Sequence, residues 1–153
     1  MGQGEIIVRT PYIVLAAFVT CGLIADTKVT MEQLPAAVQK TVKEQTQGAT
    51  LVGLSKATQK GKTLYEVETK MNGKTRDLLL DATGAVVSVE DEIDMASVPA
   101  AAKAAIEQKA AGAVIEKVES VKEGSNVSYE ATFKTKAGKR TEFAVNSDGT
   151  PHK

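Results

Sequence analysis

Few residues in this chain combine in a way that could carry a reaction. The only histidine is His152, next to last of 153 residues, and the only cysteine is Cys21. A Ser, Cys or Thr nucleophile needs a base such as His or Lys held beside it, and a base on a fraying terminus is poorly oriented. Zinc and iron sites draw on clusters of Cys, His and carboxylate, and His152 has no second soft ligand once Cys21 is set aside. Glycine loops of the GxGxxG or GxxxxGK kind, which cradle phosphates, do not occur. Glu90, Asp91, Glu92 and Asp94 offer hard oxygen ligands of the kind calcium takes. Their spacing lacks the loop glycine and ligand rhythm of an EF-hand, so the run reads more simply as an acidic linker favouring the positive end of a following helix. Lys56, Lys60 and Lys62 form a short basic run in a predicted strand and turn. It reads as a solvated edge that discourages strand aggregation. The expectation is a protein without catalytic residues, metal or cofactor.

Composition narrows the partner classes. Lys plus Arg and Asp plus Glu both total 19, which removes the basic stripe that nucleic acid would require. Apolar residues make up 42% and charged residues 25%, as in folded soluble domains. With three Tyr, three Phe and no Trp, the core must rest on Val, Leu, Ile and Ala in thin layers. At the N-terminus an apolar run from Tyr12 to Ala25 follows Arg9 and precedes Asp26, Thr27 and Lys28. That is signal-peptide geometry, with residues 1–25 as the leader and cleavage expected after Ala25. The run is short of the roughly 20 apolar residues a spanning helix needs. No stable membrane span is therefore expected after cleavage, and the mature chain should be periplasmic or secreted. Cys21 raises an alternative in which its thiol carries a lipid anchor, although Thr20 departs from the Gly, Ala or Ser expected before such a cysteine.

The elements that would position any functional side chain emerge from an internal similarity. Residues 34 to 66, opening LPAAVQKTVKEQTQGATLVGL, align with residues 98 to 130, opening VPAAAKAAIEQKAAGAVIEKV. Pro35, Gly48, Tyr65 and Glu66 recur as Pro99, Gly112, Tyr129 and Glu130, and further on Gly73 and Gly84 recur as Gly138 and Gly149. Pro35 and Pro99 suit a first helical turn. Ser97 is a candidate N-cap for the second helix, and Thr30 with Gln33 a capping box for the first. Leu34, Val38 and Val42, and likewise Val98, Ala102 and Ile106, repeat every four residues and define one apolar helix face. Gly48 and Gly112 would stop the helices.

Strands follow each helix. Tyr65, Val67 and Thr69, and then Val127, Tyr129, Ala131 and Phe133, alternate with polar residues at period two. Asn72 with Gly73, and Ala137 with Gly138, stand where hairpins should turn. The predicted fold class is α+β. It consists of two tandem units, residues 31–93 and 94–150, each a helix followed by three or four antiparallel strands, with the sheets separate or merged and the helices on one face. Tyr65 and Tyr129 fall on the face assigned to the core. Glu66, Glu68, Glu130 and Lys134 point to the other face, which one helix cannot also cover. Charged residues on a rigid sheet suit protein recognition better than burial of a small apolar ligand.

The Pro-Ala-Ala openings at Pro35 and Pro99, the glycines at Gly48 and Gly112, the Tyr-Glu pairs at Tyr65 and Tyr129, and the hairpins near Asp81, Gly84, Asp148 and Gly149 resemble the PepSY-like domains grouped with β-lactamase-inhibitor protein. The resemblance covers roughly residues 31 to 150. It implies a tandem α/β repeat facing the periplasm or exterior, in families associated with binding or inhibiting secreted enzymes. No inhibitory loop matches, so no binding residue carries over. The expected function is that of an exported, non-catalytic binding module. It would contact another exported protein, such as an enzyme it restrains, through Glu66, Glu68, Glu130 and Lys134. The alternative is a periplasmic sensor of a small ligand or metal ion using Glu90 to Asp94.

Overall fold

A computed structural model describes residues 24–59 and 61–152. The expected leader, including Cys21 and all but the last two residues of the apolar run, lies outside the described residues, as does Lys60. Twelve elements follow in chain order: β1 (Ile24–Lys28), a 3-10 turn (Met31–Gln33), α1 (Ala36–Gln45), β2 (Thr50–Gln59), β3 (Lys62–Met71), β4 (Lys74–Asp81), β5 (Val86–Glu92), a second 3-10 turn (Met95–Ser97), α2 (Ala100–Ala110), β6 (Val114–Glu123), β7 (Asn126–Lys134) and β8 (Arg140–Asn146).

The expected fold class is overturned. In place of two tandem helix-and-strand units there is one antiparallel sheet of eight strands in the order β1 to β8, and the fold is mostly β with two short helices. Hydrogen bonding supplies the reason. Val89 to Glu92 of β5 pair with Lys122 to Glu119 of β6, so strand edges that two separate units would have exposed are consumed by each other. The unforeseen β1 pairs with β2, placing Thr27 opposite Lys56 and Lys28 opposite Ser55. The lysine-bearing β2 is therefore an interior strand and not the solvated edge expected of it.

Local chemistry explains the elements. Asn72 and Gly73 both have positive φ, 54° and 85°, and join Met71 to its partner Lys74. That is the two-residue hairpin the twist of paired strands favours. Thr30 and Gln33 bracket the first 3-10 turn, with the Thr30 N–H donating to Gln33 Oε1 at 2.8 Å, and α1 starts only beyond Pro35. Ser97 ends the second turn, and Pro99 occupies the N-cap of α2 in its place.

Val38, Val42, Ala102 and Ile106 are fully buried, as the four-residue spacing requires. α1 seats on Leu54, Tyr65, Val67, Leu78 and Leu80, and α2 on Val118, Ala131, Phe133 and Val145. Both helices lie on the same face. Directly opposed residues of a sheet share a face, and the pairing runs from Leu78 to Val89 to Lys122, while Ser120, two residues from Lys122, lies opposite Tyr129. Each helix is held close to a hairpin by a glycine. A Cβ at Gly84 would lie 2.7 Å from the Ala37 carbonyl oxygen, and one at Gly149 equally near that of Ala101.

Candidate functional site

The second face of the sheet carries no helix, and its side chains follow from the register. Glu68 of β3 lies opposite Asp77 of β4, which lies opposite Glu90 of β5. One row along, Glu92 of β5 faces Glu119 of β6, which faces Glu130 of β7. Two rows of three carboxylates therefore cross the middle of the sheet. Like charges directly opposite one another destabilise a sheet, so these rows oppose folding. A flanking row sets Ser55 opposite Glu66, Leu79 next and Ser88 beyond. Ser55 Oγ donates to Glu66 Oε2 at 3.0 Å. Glu68 lies over Gly53, where a Cβ would stand 3.1 Å from its carboxylate oxygen.

Many of these polar groups are buried without an apolar layer above them. Relative exposure is 9% for Asp77, 7% for Glu90, 1% for Glu119 and 4% for Glu130. Packing against neighbours on the same face must account for this. Glu119, its side chain buried, forms an ion pair at 2.7 Å with the Nζ of the partly exposed Lys117. Glu92 Oε2 accepts from the Thr75 N–H at 2.9 Å and from the Thr75 hydroxyl at 3.1 Å. Among the described residues, Ser88 Oγ and Thr132 Oγ1 are buried on this face without a hydrogen-bond partner, as is Arg76 Nε elsewhere.

Burial and mutual repulsion make two carboxyls unusually weak acids. Burial, and then Glu119, Glu130, Asp77 and Glu66, push Glu90 up to about 8. Burial pushes Asp77 up to about 7, opposed by the Lys117 ammonium and reinforced by Glu119 and Glu68. Glu142, on the margin of the same face, is raised by its burial, with Glu119 adding to the rise against Lys117.

Of the residues singled out in the sequence, Glu66, Glu68 and Glu130 share this face. Lys134 takes the same side of β7 near its end, exposed and 4.0 Å from Glu116. The run from Glu90 to Asp94 does not converge. Glu90, Asp91 and Glu92 belong to β5 and not to a linker. Asp91 turns to the helix side, where it meets Arg76 at 3.4 Å, and Asp94 pairs with Lys74 at 2.8 Å. Among the described residues no group of three His, Cys, Asp or Glu is arranged to hold a metal ion. His152 is not frayed: its N–H donates to the Ala144 carbonyl at 2.9 Å, and its Nδ1 lies 2.8 Å from Asn146 Oδ1. Asp77, Ser88, Lys117 and Glu119 escaped the sequence reading. Alternation along β4, β5 and β6 assigns them a face, but only the register brings them together.

No protein-family model matches the chain, and no curated protein matches its sequence. Solved structures share its fold. A protein from Bacteroides eggerthii held to be periplasmic is 17% identical with a TM-score of 0.62, covering 78% of this chain and 86% of that one. A BLIP-like protein from Bacteroides fragilis is 20% identical with a TM-score of 0.53, over 78% and 84%. A DUF2874 family protein from Bacteroides ovatus is 18% identical with a TM-score of 0.59, over 79% and 86%. The chain therefore has a BLIP-like fold.

Proposed function

We propose that this chain is an exported, non-catalytic binding module that holds another exported protein against the helix-free face of its sheet. The observation that carries the proposal is the pair of opposed rows Glu68, Asp77, Glu90 and Glu92, Glu119, Glu130. Such rows cost stability, and charged groups on a rigid, uncovered face suit recognition of a complementary partner. The fold shared with a BLIP-like protein and with a protein held to be periplasmic supports the same reading. Glu66 and Glu68, half-buried, can touch a partner. Glu130 is too buried for that and contributes its charge, while Lys134 stands at the margin.

The leader at residues 1–25, the kinship with PepSY-like domains and the restraint of an exported enzyme are finer parts of this proposal. Cleavage after Ala25 would leave Thr27 and Lys28 to pair with β2. Among the described residues no helix is long and apolar enough to cross a membrane. The test compares proteins retained from an extract of exported proteins by the immobilised chain and by its Glu68→Lys variant, after equal melting temperatures are verified. A protein held by the first and lost by the second is the expected outcome. Identical retention would remove this face from the proposal.

A further inference from the structure

β8 is the last strand of the sheet, so among the described residues no strand lies beyond it. Part of its outer edge is covered by the residues that follow. Pro151 bridges Val145, the His152 N–H donates to the Ala144 carbonyl at 2.9 Å, and the Asn146 N–H donates to the Thr150 carbonyl at 2.8 Å. Ala144 and Asn146 therefore turn their backbone groups away from β7. Successive residues of a strand alternate in this respect, so Glu142 and Arg140 turn theirs outward too. The start of the strand agrees, since the Thr135 N–H donates to the Lys139 carbonyl at 2.8 Å, which makes Lys134 and Arg140 a pair without mutual hydrogen bonds. An outward edge of this kind is a template for another strand, and the stretch from Lys139 to Phe143 lies clear of the covering residues.

We infer that a second copy of this chain adds to that edge, β8 against β8, antiparallel about a two-fold axis at Thr141. Charge and space together select the register. Centring on Glu142 would set its carboxylate opposite itself, and centring on Arg140 would do the same with the guanidinium, and like charges directly opposite oppose pairing. Centring on Phe143 would need the outer edge of Ala144 and Asn146, which Thr150 and His152 already occupy. With Thr141 opposite Thr141, each Arg140 stands opposite a Glu142. The N–H and C=O of Glu142 then meet the C=O and N–H of the second copy's Arg140, the pattern that outward-turned residues require. Arg140 and Glu142 lie opposite Lys134 and Thr132, so their ion pairs form on the helix-free face. The exposed Thr141 meets its counterpart on the helix side, a favourable cross-strand pair. Arg140 also holds Glu116 through its Nε at 2.5 Å, and a guanidinium has further N–H groups for a second carboxylate. An axis perpendicular to the sheet keeps α2 of both copies on one side and joins the two helix-free faces into one continuous surface. A contact this short buries less than the roughly 1,200 Å² of a standard interface, so the dimer is weak. The inference does not depend on what the helix-free face binds.

The test is sedimentation equilibrium at low salt, from about 10 µM to about 1 mM protein. It compares the native chain, Arg140→Glu, Glu142→Arg and an equimolar mixture of the two variants. The native chain should dimerise with a dissociation constant on the order of 100 µM and form nothing larger through this contact, because a two-fold contact closes on itself. Each variant alone sets like charges opposite each other in both pairs and should weaken dimerisation about tenfold or more. In the mixture every acidic group again faces a basic one, so dimers of one copy of each variant should form about as readily as native dimers. Their recovery also shows that both variants fold. Glu142→Pro removes an outward N–H and none of the bonds to β7, so it should be monomeric and keep nearly the native melting temperature. A native chain that stays monomeric throughout, a dimer that survives Glu142→Pro, or two charge variants that dimerise no better together than apart would overturn the inference.

Discussion

Raising the pH from about 4 to about 8 should weaken this protein, the reverse of ordinary acid denaturation. Asp77 moves from 3.8 to about 7 and Glu90 from 4.5 to about 8 on folding. A carboxyl whose pKa is raised in the native state contributes nothing adverse while both states are protonated. Its penalty grows as pH passes the unfolded value and is complete above the folded one. At about 1.4 kcal/mol per pH unit, each group alone would cost about 4 to 5 kcal/mol. Asp77 is among the causes of the Glu90 shift, so the joint loss is smaller than twice that, roughly 4 to 6 kcal/mol. The opposite trend sets the acid limit. Asp81, Glu116 and Asp148 are held below the usual carboxylate range by the Thr83 hydroxyl, Arg140 and the Thr150 hydroxyl, respectively. Their contribution is present above the unfolded values and is lost as pH falls through the folded ones. Stability should therefore peak near pH 4 to 5. Urea denaturation at pH 4.5, 6, 7 and 8.5, on the native chain and on Glu90→Gln, measures the profile. The variant should be more stable than the native chain by about 3 to 4 kcal/mol at pH 8.5 and within about 0.5 kcal/mol of it at pH 4.5. A native profile that is flat or rising between pH 5 and 8.5 would refute the reasoning, as would a variant with the same pH slope.

Lys117→Met should lower stability by about 3 to 5 kcal/mol, because it leaves the buried Glu119 carboxylate without its counter-charge; a loss below 1 kcal/mol in denaturation midpoints would show that the pair is not needed. Gly84→Ala should cost about 3 kcal/mol or more, since its new Cβ would stand 2.7 Å from the Ala37 oxygen at a positive φ. Gly112→Ala, with the same sign of φ and nothing within 4 Å, should cost only about 1 kcal/mol. Equal losses for the two glycine variants would mean that helix seating plays no part.

Local interactions set much of this protein within reach of sequence reasoning. The four-residue spacing of Val38, Val42, Ala102 and Ile106 is a property of a helix surface, and all four are buried. The alternation at Tyr65, Val67 and Thr69, and the positive-φ pair Asn72 and Gly73, depend only on neighbours in the chain. The side of the strand taken by Glu66, Glu68 and Glu130 follows from the same period of two. Pairing between distant strands is a different matter, because an internal similarity reports that local structure recurs and says nothing about which edges meet. The joining of β5 to β6 decided for one sheet, where the sequence had left the strands of two units in sheets either separate or merged. The same joining turned Glu90 and Glu92 from an apparent linker into members of two charged rows. Register across strands, set by tertiary packing, placed Asp77 against Glu90 and Glu119 against Glu130. The weak acidity of Asp77 and Glu90 arises from burial and Coulomb repulsion over short distances, quantities that exist only once strands far apart in the chain have come together.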